Sequence, residues 1–142
     1  MLKRISTETR SKDMKKTLYL MLIIISILSL GACSKKTDSS EAVKPVEAFY
    51  NAIVTQNRDR VSSITCAEWE KDALREVDAF MGVKSELKDF SCSVSSEGKD
   101  ESIVVCKGSI AASYGAEVTD FPLENRSHKV IKEQGEWHIC GY

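Results

Sequence analysis

The sequence predicts an α+β domain in which three N-terminal helices are followed by a four-stranded antiparallel sheet. Apolar residues between positions 46 and 81 recur with the period of about 3.6 that is typical of helices. From Leu87 onward they alternate with polar residues, which is the pattern of strands with one buried face. A run of helices followed by a run of strands is the order of an α+β domain, and we expect the helices to cover one face of the sheet.

The first two helices are predicted from apolar spacing and from residues typical of helix ends. Pro45 is tolerated in a first turn, so we expect the first helix to begin near it. Asp59 is suited to cap a short second helix that carries Val61 and Ile64. The apolar face of the first helix consists of Val46, Phe49, Tyr50, Ile53 and Val54.

The third helix is predicted after Cys66 and is expected to end at Gly82. Its charged residues lie away from the apolar stripe, so we interpret them as a solvated face. The predicted buried stripe consists of Trp69, Ala73, Val77, Phe80 and Met81.

The strands are predicted from alternation and from turn residues. Even positions from Val104 to Tyr114 are apolar except Gly108, which predicts one long strand preceded by a strand around Cys92. A third strand is predicted from Val118, interrupted by Pro122 and resumed as far as Lys132, with Pro122 at a bulge or an edge. The last strand is predicted over residues 137–140.

The N-terminal segment has the pattern of an export signal. Lys15 and Lys16 precede an apolar stretch at residues 18–30, which is too short for a membrane-spanning helix of about 20 residues. The following LGAC resembles the lipobox of bacterial lipoproteins, in which the cysteine, here Cys33, is lipidated and becomes the new N-terminus. We therefore predict a signal peptide at 1–32, with translation starting at Met14 as an alternative, a lipidated flexible tether at 33–42 and a folded domain at 43–142.

Charge argues against nucleic acid as a partner. The whole chain has a net charge of −1, but residues 33–142 carry 14 basic and 19 acidic side chains. A chain that binds nucleic acid usually presents a basic stripe, and none is visible here.

The four remaining cysteines predict two disulfides, as expected for a small exported domain. If the turn between the first two strands is symmetric about Lys99, Cys92 lies opposite Cys106; a two-residue turn would instead place it opposite Val105. We favour Cys92–Cys106 with Cys66–Cys140, and the rival is Cys66–Cys92 with Cys106–Cys140. A zinc site is the competing interpretation, but gaps of 26, 14 and 34 between the cysteines are unlike paired zinc ligands.

Several segments resemble the NTF2-like, or cystatin-like, superfamily, particularly its small exported lipoproteins. They are VEAFYNAI at 46–53, the short helix after Asn57 and GEWHI at 135–139. The cysteine-bearing segments are similar to a group of uncharacterised secreted bacterial proteins. The resemblance implies a cone: a strongly curved sheet wrapped around the first helix, with a cavity at the wide end. Some members are isomerases or dehydratases that use an Asp or an Asp–His pair, and others bind ligands or belong to secretion and conjugation assemblies.

The candidate pocket residues are the ring-bearing side chains expected inside such a cone. His128 shares strand parity with Val130, so it is the histidine expected to face the interior as a general base or as a structural residue. His138 has the opposite parity and is expected to be exposed. The candidate pocket consists of Tyr50, Trp69, Tyr114, His128 and Trp137.

We therefore predict a non-enzymatic binding or interaction module, held by its lipid on the extracytoplasmic side of a bacterial cell envelope, in the periplasm or at the cell surface. No catalytic set, cofactor or metal site is predicted, because no motif for those chemistries is present. The expected partners are the membrane, through the lipid anchor, and a small apolar ligand or an envelope protein. The alternatives are an isomerase or lyase that uses His128, and a component of a secretion or conjugation assembly.

Overall fold

The computed structural model describes residues 37–142, so the predicted signal peptide and Cys33 lie outside the described residues. Within this part of the chain, no helix is long and apolar enough to cross a membrane. The elements are, in order, α1 (Thr37–Thr55), a 3-10 helix (Arg58–Ser63), α2 (Glu70–Ala79), β1 (Lys84–Ser96), β2 (Glu101–Tyr114), β3 (Glu117–Pro122), β4 (Ser127–Glu133) and β5 (Glu136–Ile139). The α+β class is confirmed, and residues 37–142 contain two α-helices and one 3-10 helix where three helices were expected.

Helix α1 begins earlier than the sequence predicted. It starts at Thr37 and contains Pro45 in its interior, so the expected start near Pro45 is wrong. Ala42, at 0 % exposure, extends the buried stripe one turn ahead of the proline. Burial of Ala42 offsets the loss of the backbone hydrogen bond that the nitrogen of Pro45 cannot donate. The helix therefore includes the end of the segment predicted as a tether.

Helix α2 buries a shorter stripe than expected. Ala73 and Val77 are fully buried, and Trp69 and Phe80 flank the helix at its two ends. Met81 was expected in the same stripe, but it is 51 % exposed because the helix has already ended at Ala79.

The sheet has five strands, not the four predicted, because the expected third strand divides at Pro122. Strand β1 pairs along one side of β2. The other side of β2 is shared: its first half pairs with β4 and its second half with β3. Pro122 ends β3, and Leu123 turns inward to 0 % exposure while its N–H donates to Gly108 O at 3.0 Å. Strand β5 extends the sheet beyond β4.

The sheet is a curled half-barrel around α1, and β1 bends at two irregularities in its pairing with β2. At the first, Asp89 has φ 49° and Gly108 on the facing strand has φ 96°. A Cβ on Gly108 would collide with Lys88 O and lie 2.7 Å from Asp89 O, so only glycine fits there.

The buried face of the hairpin has the register predicted from a turn centred on Lys99. Cys92 pairs with Cys106 and Val94 with Val104. Cys92 and Cys106 are joined by a disulfide with a Cα–Cα distance of 4.1 Å.

The second disulfide joins Cys66 to Cys140, with a Cα–Cα distance of 5.4 Å. Strand alternation turns Cys140 away from the buried face that Ile139 occupies, so Cys66 has to reach it from outside the helical layer. The structure resolves this because the segment before Cys66 lies alongside β5. Thr65 forms a parallel bridge with Ile139, and the Cys66 N–H donates to Ile139 O at 3.0 Å. Cys66 therefore reaches Cys140 from the edge of the sheet.

Removing the two disulfides separately should lower the stability by different amounts. The cysteines of the Cys66–Cys140 bond are 74 residues apart in the sequence, and those of the Cys92–Cys106 bond are 14 residues apart. Loop-closure entropy then predicts losses of about 4.5 kcal/mol for the double variant Cys66→Ser/Cys140→Ser and about 3 kcal/mol for Cys92→Ser/Cys106→Ser. Urea unfolding followed by circular dichroism measures both, with Cys33→Ser as the control that should leave the domain's stability unchanged. A larger loss from the short loop would contradict the entropic argument.

Candidate functional site

A buried pair of polar rings joins helix α1 to the sheet inside the half-barrel. Tyr50 of α1 and His128 of β4 both have 0 % exposure. Tyr50 Oη lies 2.7 Å from His128 Nε2, and His128 Nδ1 lies 3.2 Å from Val104 O on the neighbouring strand β2. A carbonyl oxygen only accepts, so Nδ1 carries the hydrogen and Nε2 accepts from the tyrosine hydroxyl. Both ring nitrogens are therefore engaged by internal groups.

The environment keeps this pair neutral. Burial, helped by the nearby Arg126 cation, lowers the pKa of His128 to about 4, although the hydrogen bond to Val104 O acts in the opposite direction. Burial also raises the pKa of Tyr50 to about 12. At neutral pH, the imidazole and the phenol are both uncharged.

Tyr142 lies between the imidazole of His128 and the solvent. Its ring centroid lies 5.4 Å from that of His128 and 5.8 Å from that of Trp69. Arg126 Nη1 donates to Tyr142 Oη at 2.9 Å, and the guanidinium carbon lies 4.5 Å from the ring centroid. Tyr142 Oη donates in turn to Glu76 Oε1 at 2.5 Å. Trp69, Glu76, Arg126 and His128 thus surround Tyr142, and we call these four residues the Tyr142 shell.

The structure brings three of the five predicted pocket residues together. Tyr50, His128 and Trp69 lie in one aromatic cluster with Phe49, whose ring centroid is 5.0 Å from that of Trp69. Tyr114 does not join them. It was expected on the buried face, but it is 49 % exposed at the end of β2, where the strand passes into its turn.

Trp137 is partly buried against the hydrophobic core, and it also lines a groove on the surface. The groove has a volume of about 450 Å³ and lies between α1, the 3-10 helix and the β4–β5 hairpin. Its apolar lining is Pro45, Ala48, Ile64 and Trp137, and its charged lining is Glu41, Lys44, Arg60, Lys132 and Glu136. Lys132 Nζ lies 5.4 Å from the Trp137 ring centroid. We call this the hairpin groove.

His138, which was expected to be exposed, is half-buried. Its Nδ1 atom is buried without a hydrogen-bond partner in the described part of the chain. It lines a surface pocket with Glu70, Glu133 and Glu136. Even so, no group of three or more His, Cys, Asp or Glu residues among those described is arranged to hold a metal ion.

Sequence reasoning missed Glu76, Arg126 and Tyr142. Glu76 was assigned to a solvated helix face, although it directly precedes the buried Val77. Arg126 has the strand parity of His128, two residues earlier, and that parity was the available signal. Tyr142 lies beyond the last strand, where no periodicity indicates its direction.

The comparisons with known proteins bear on the fold. No protein-family model matches the chain, and no curated protein sequence matches it significantly. Among solved structures, an LEH-like epoxide hydrolase from M. tuberculosis is similar, with a TM-score of 0.50 and 16 % identity over 76 % of this chain and 83 % of that one. That protein has the NTF2-like cone. The chain described here has an NTF2-like fold. At this level of identity the similarity shows the fold alone, and a fold of this kind carries many functions.

The burial of neutral His128 should make the protein less stable in acid. In the unfolded chain, the imidazole takes up a proton as the pH falls through about 6.5. In the folded chain, it stays neutral until the pH reaches about 4. Protonation therefore favours unfolding between these values, and the shift corresponds to about 3 kcal/mol.

Urea unfolding at pH 7 and at pH 4 measures this loss. Because carboxylates also titrate in this range, the quantity to compare is the loss in the wild type minus the loss in a His128→Gln variant. We expect a difference of about 3 kcal/mol. Parallel losses in the wild type and His128→Gln would contradict the neutral, buried imidazole.

Proposed function

We propose that the protein is a lipid-anchored, extracytoplasmic binding module of the bacterial cell envelope, which acts through its surface and not through catalysis inside the cone. The observation that carries the proposal is the engagement of His128. Both its ring nitrogens bond to internal groups, and Tyr142 lies over the ring. A general base must reach a proton of its substrate. In this arrangement the imidazole has no free lone pair with which to do so.

The extracytoplasmic location is supported from two sides. Two disulfides are typical of proteins that fold in oxidising compartments outside the cytoplasm. The LGAC sequence at positions 30–33, after an apolar stretch, resembles the signal for lipidation at Cys33. A diacylated cysteine holds a protein on a membrane stably, whereas a single acyl chain does so only marginally.

The hairpin groove is the surface that we propose for partner binding. Its lining combines apolar and charged side chains, and protein interfaces likewise combine a central apolar patch with surrounding polar groups. Trp137 lies in it, and tryptophan is among the residues that contribute most to binding energy at interfaces. Both signs of charge line the groove, which suits an envelope protein better than a purely anionic or cationic ligand.

An enzyme that uses His128 is the second candidate, favoured by the polar groups gathered beneath Tyr142. Glu76, Arg126, Tyr50 and His128 offer a carboxylate, a cation, a phenol and an imidazole within one cluster. The epoxide hydrolase with a similar fold is an enzyme. In this alternative, catalysis requires Tyr142 to leave its place.

Lipid anchoring predicts fatty-acid labelling at one cysteine. The full chain and its Cys33→Ser variant are expressed in a bacterium grown with an alkyne analogue of palmitate, and membranes are separated from soluble fractions. We expect the wild type to be labelled and in the membrane fraction, and Cys33→Ser to lack the label. The double variant Cys92→Ser/Cys106→Ser should keep the label. An unlabelled wild type would overturn the anchor.

Partner binding at the hairpin groove predicts site-specific cross-links. A photoreactive amino acid is placed at position 137 or at position 60 of the full chain in living cells. We expect the same cross-linked partner from both positions. Position 118, where Val118 is 56 % exposed on β3, serves as the control and should give none. The proposal fails if the groove positions give no cross-link, or only the pattern of the control.

A further inference from the structure

The surroundings of Tyr142 have the composition of a ligand-binding site that one of the chain's own side chains occupies. The hydroxyl accepts from Arg126 and donates to Glu76. The guanidinium lies over the ring, and the rings of Trp69 and His128 stand beside it at angles of 76° and 56°. Both the ring and the hydroxyl of the phenol are thus contacted by chemically matched groups.

The two hydroxyl partners select one kind of polar group. A guanidinium only donates and a carboxylate only accepts, so the group between them must do both. A neutral hydroxyl meets this requirement. A carboxylate would repel Glu76, and an ammonium would repel Arg126. Burial and the bond to Glu76 raise the pKa of Tyr142, which keeps its hydroxyl protonated and able to donate.

The shell is held in place by bonds that do not involve Tyr142. Glu76 belongs to α2 and His128 to β4, and Arg126 Nη1 lies 3.8 Å from Glu76 Oε2 in an ion pair. His128 is fixed by Tyr50 and Val104 O. Removing the Tyr142 side chain therefore leaves the Arg126–Glu76 ion pair and both hydrogen bonds of His128 in place.

The Tyr142 side chain is also partly exposed to solvent. Tyr142 is 46 % exposed and borders a surface pocket of about 500 Å³, whose other lining residues are Trp69, Asp72, Arg75, Glu76 and Ala79. A ligand larger than phenol has space there for its remaining atoms. This site shares no lining residue with the hairpin groove.

We propose that the Tyr142 shell is a binding site for hydroxyaryl ligands, in which Tyr142 takes the place of the ligand in this structure. The ligand class is a neutral aromatic ring with one hydroxyl, carrying its substituents into the outer pocket. Because Tyr142 is attached to the chain, it competes as an intramolecular ligand at high effective concentration. The site therefore binds an external ligand tightly only when Tyr142 is displaced.

The test uses 4-methylphenol as the probe, because it reproduces the side chain of tyrosine. Binding to the purified full chain in detergent is measured by calorimetric titration for the wild type, Tyr142→Ala and Tyr114→Ala. Tyr114 is the matched control, since it is a similarly exposed tyrosine outside the shell. We expect Tyr142→Ala to bind the probe at least tenfold more tightly than the other two proteins. Equal affinities in the three proteins would overturn the proposal.

A second comparison tests the hydroxyl. Toluene has the same ring without the hydroxyl, so it should bind Tyr142→Ala at least fivefold more weakly than 4-methylphenol. Adding Glu76→Leu to Tyr142→Ala should reduce this preference, because only the Arg126 donor then remains for the hydroxyl. Equal binding of toluene and 4-methylphenol by Tyr142→Ala would reduce the site to an apolar cavity and contradict the proposal.

If Tyr142→Ala does not fold, Tyr142→Val is used in its place, because valine fills more of the space left by the tyrosine ring. If neither folds, the wild type is titrated with 4-methylphenol at high concentration while the indole N–H signals of Trp69 and Trp137 are followed by NMR. A shift confined to Trp69 supports the site, and a shift confined to Trp137, or none, overturns it. These outcomes are independent of lipid labelling and of cross-links at the hairpin groove.

Discussion

The hydrogen bond between Tyr50 and His128 determines how the rest of the interior is arranged. It joins α1 to β4, and the second ring nitrogen continues the connection to Val104 O on β2. Three elements thus meet at one buried imidazole. An unpaired polar atom at that depth costs about 1–3 kcal/mol, so each partner has to be present for the others to be tolerated. Apart from Thr65 and Ser102, the other buried residues among those described are apolar or aromatic.

This arrangement also separates the interior from the surface in chemical terms. The inner pair is neutral, and the charges of Arg126 and Glu76 stand one layer further out, where they bind the hydroxyl of Tyr142. The same cluster therefore contains a structural part, which supports the fold, and an outer part whose groups are suited to recognition. The hairpin groove adds a second surface made from different elements.

The hairpin register and the Cys92–Cys106 disulfide could be predicted because they depend on local sequence, and Cys66–Cys140 was then the pair that remained. Turn length sets the register of a hairpin, and Cys92 and Cys106 lie equally far from Lys99. The division of the third strand could not be predicted fully. Pro122 marks a break, but no local rule says that the chain resumes against the other half of β2. The positions of the Glu76 and Tyr142 side chains could not be predicted either, because the direction in which each points depends on tertiary contacts. Ala42 shows that burial extended α1 past a residue normally found in a first turn.

The two disulfides form one closed covalent loop within another. The loop between Cys66 and Cys140 contains α2 and all five strands, and the loop between Cys92 and Cys106 lies inside it. A single proteolytic cut in the exposed turn at residues 97–100 therefore falls within both loops. The two fragments would stay attached to each other through both bonds. A nicked molecule would keep both parts of its sheet covalently joined, and all of its pieces would remain attached to α1.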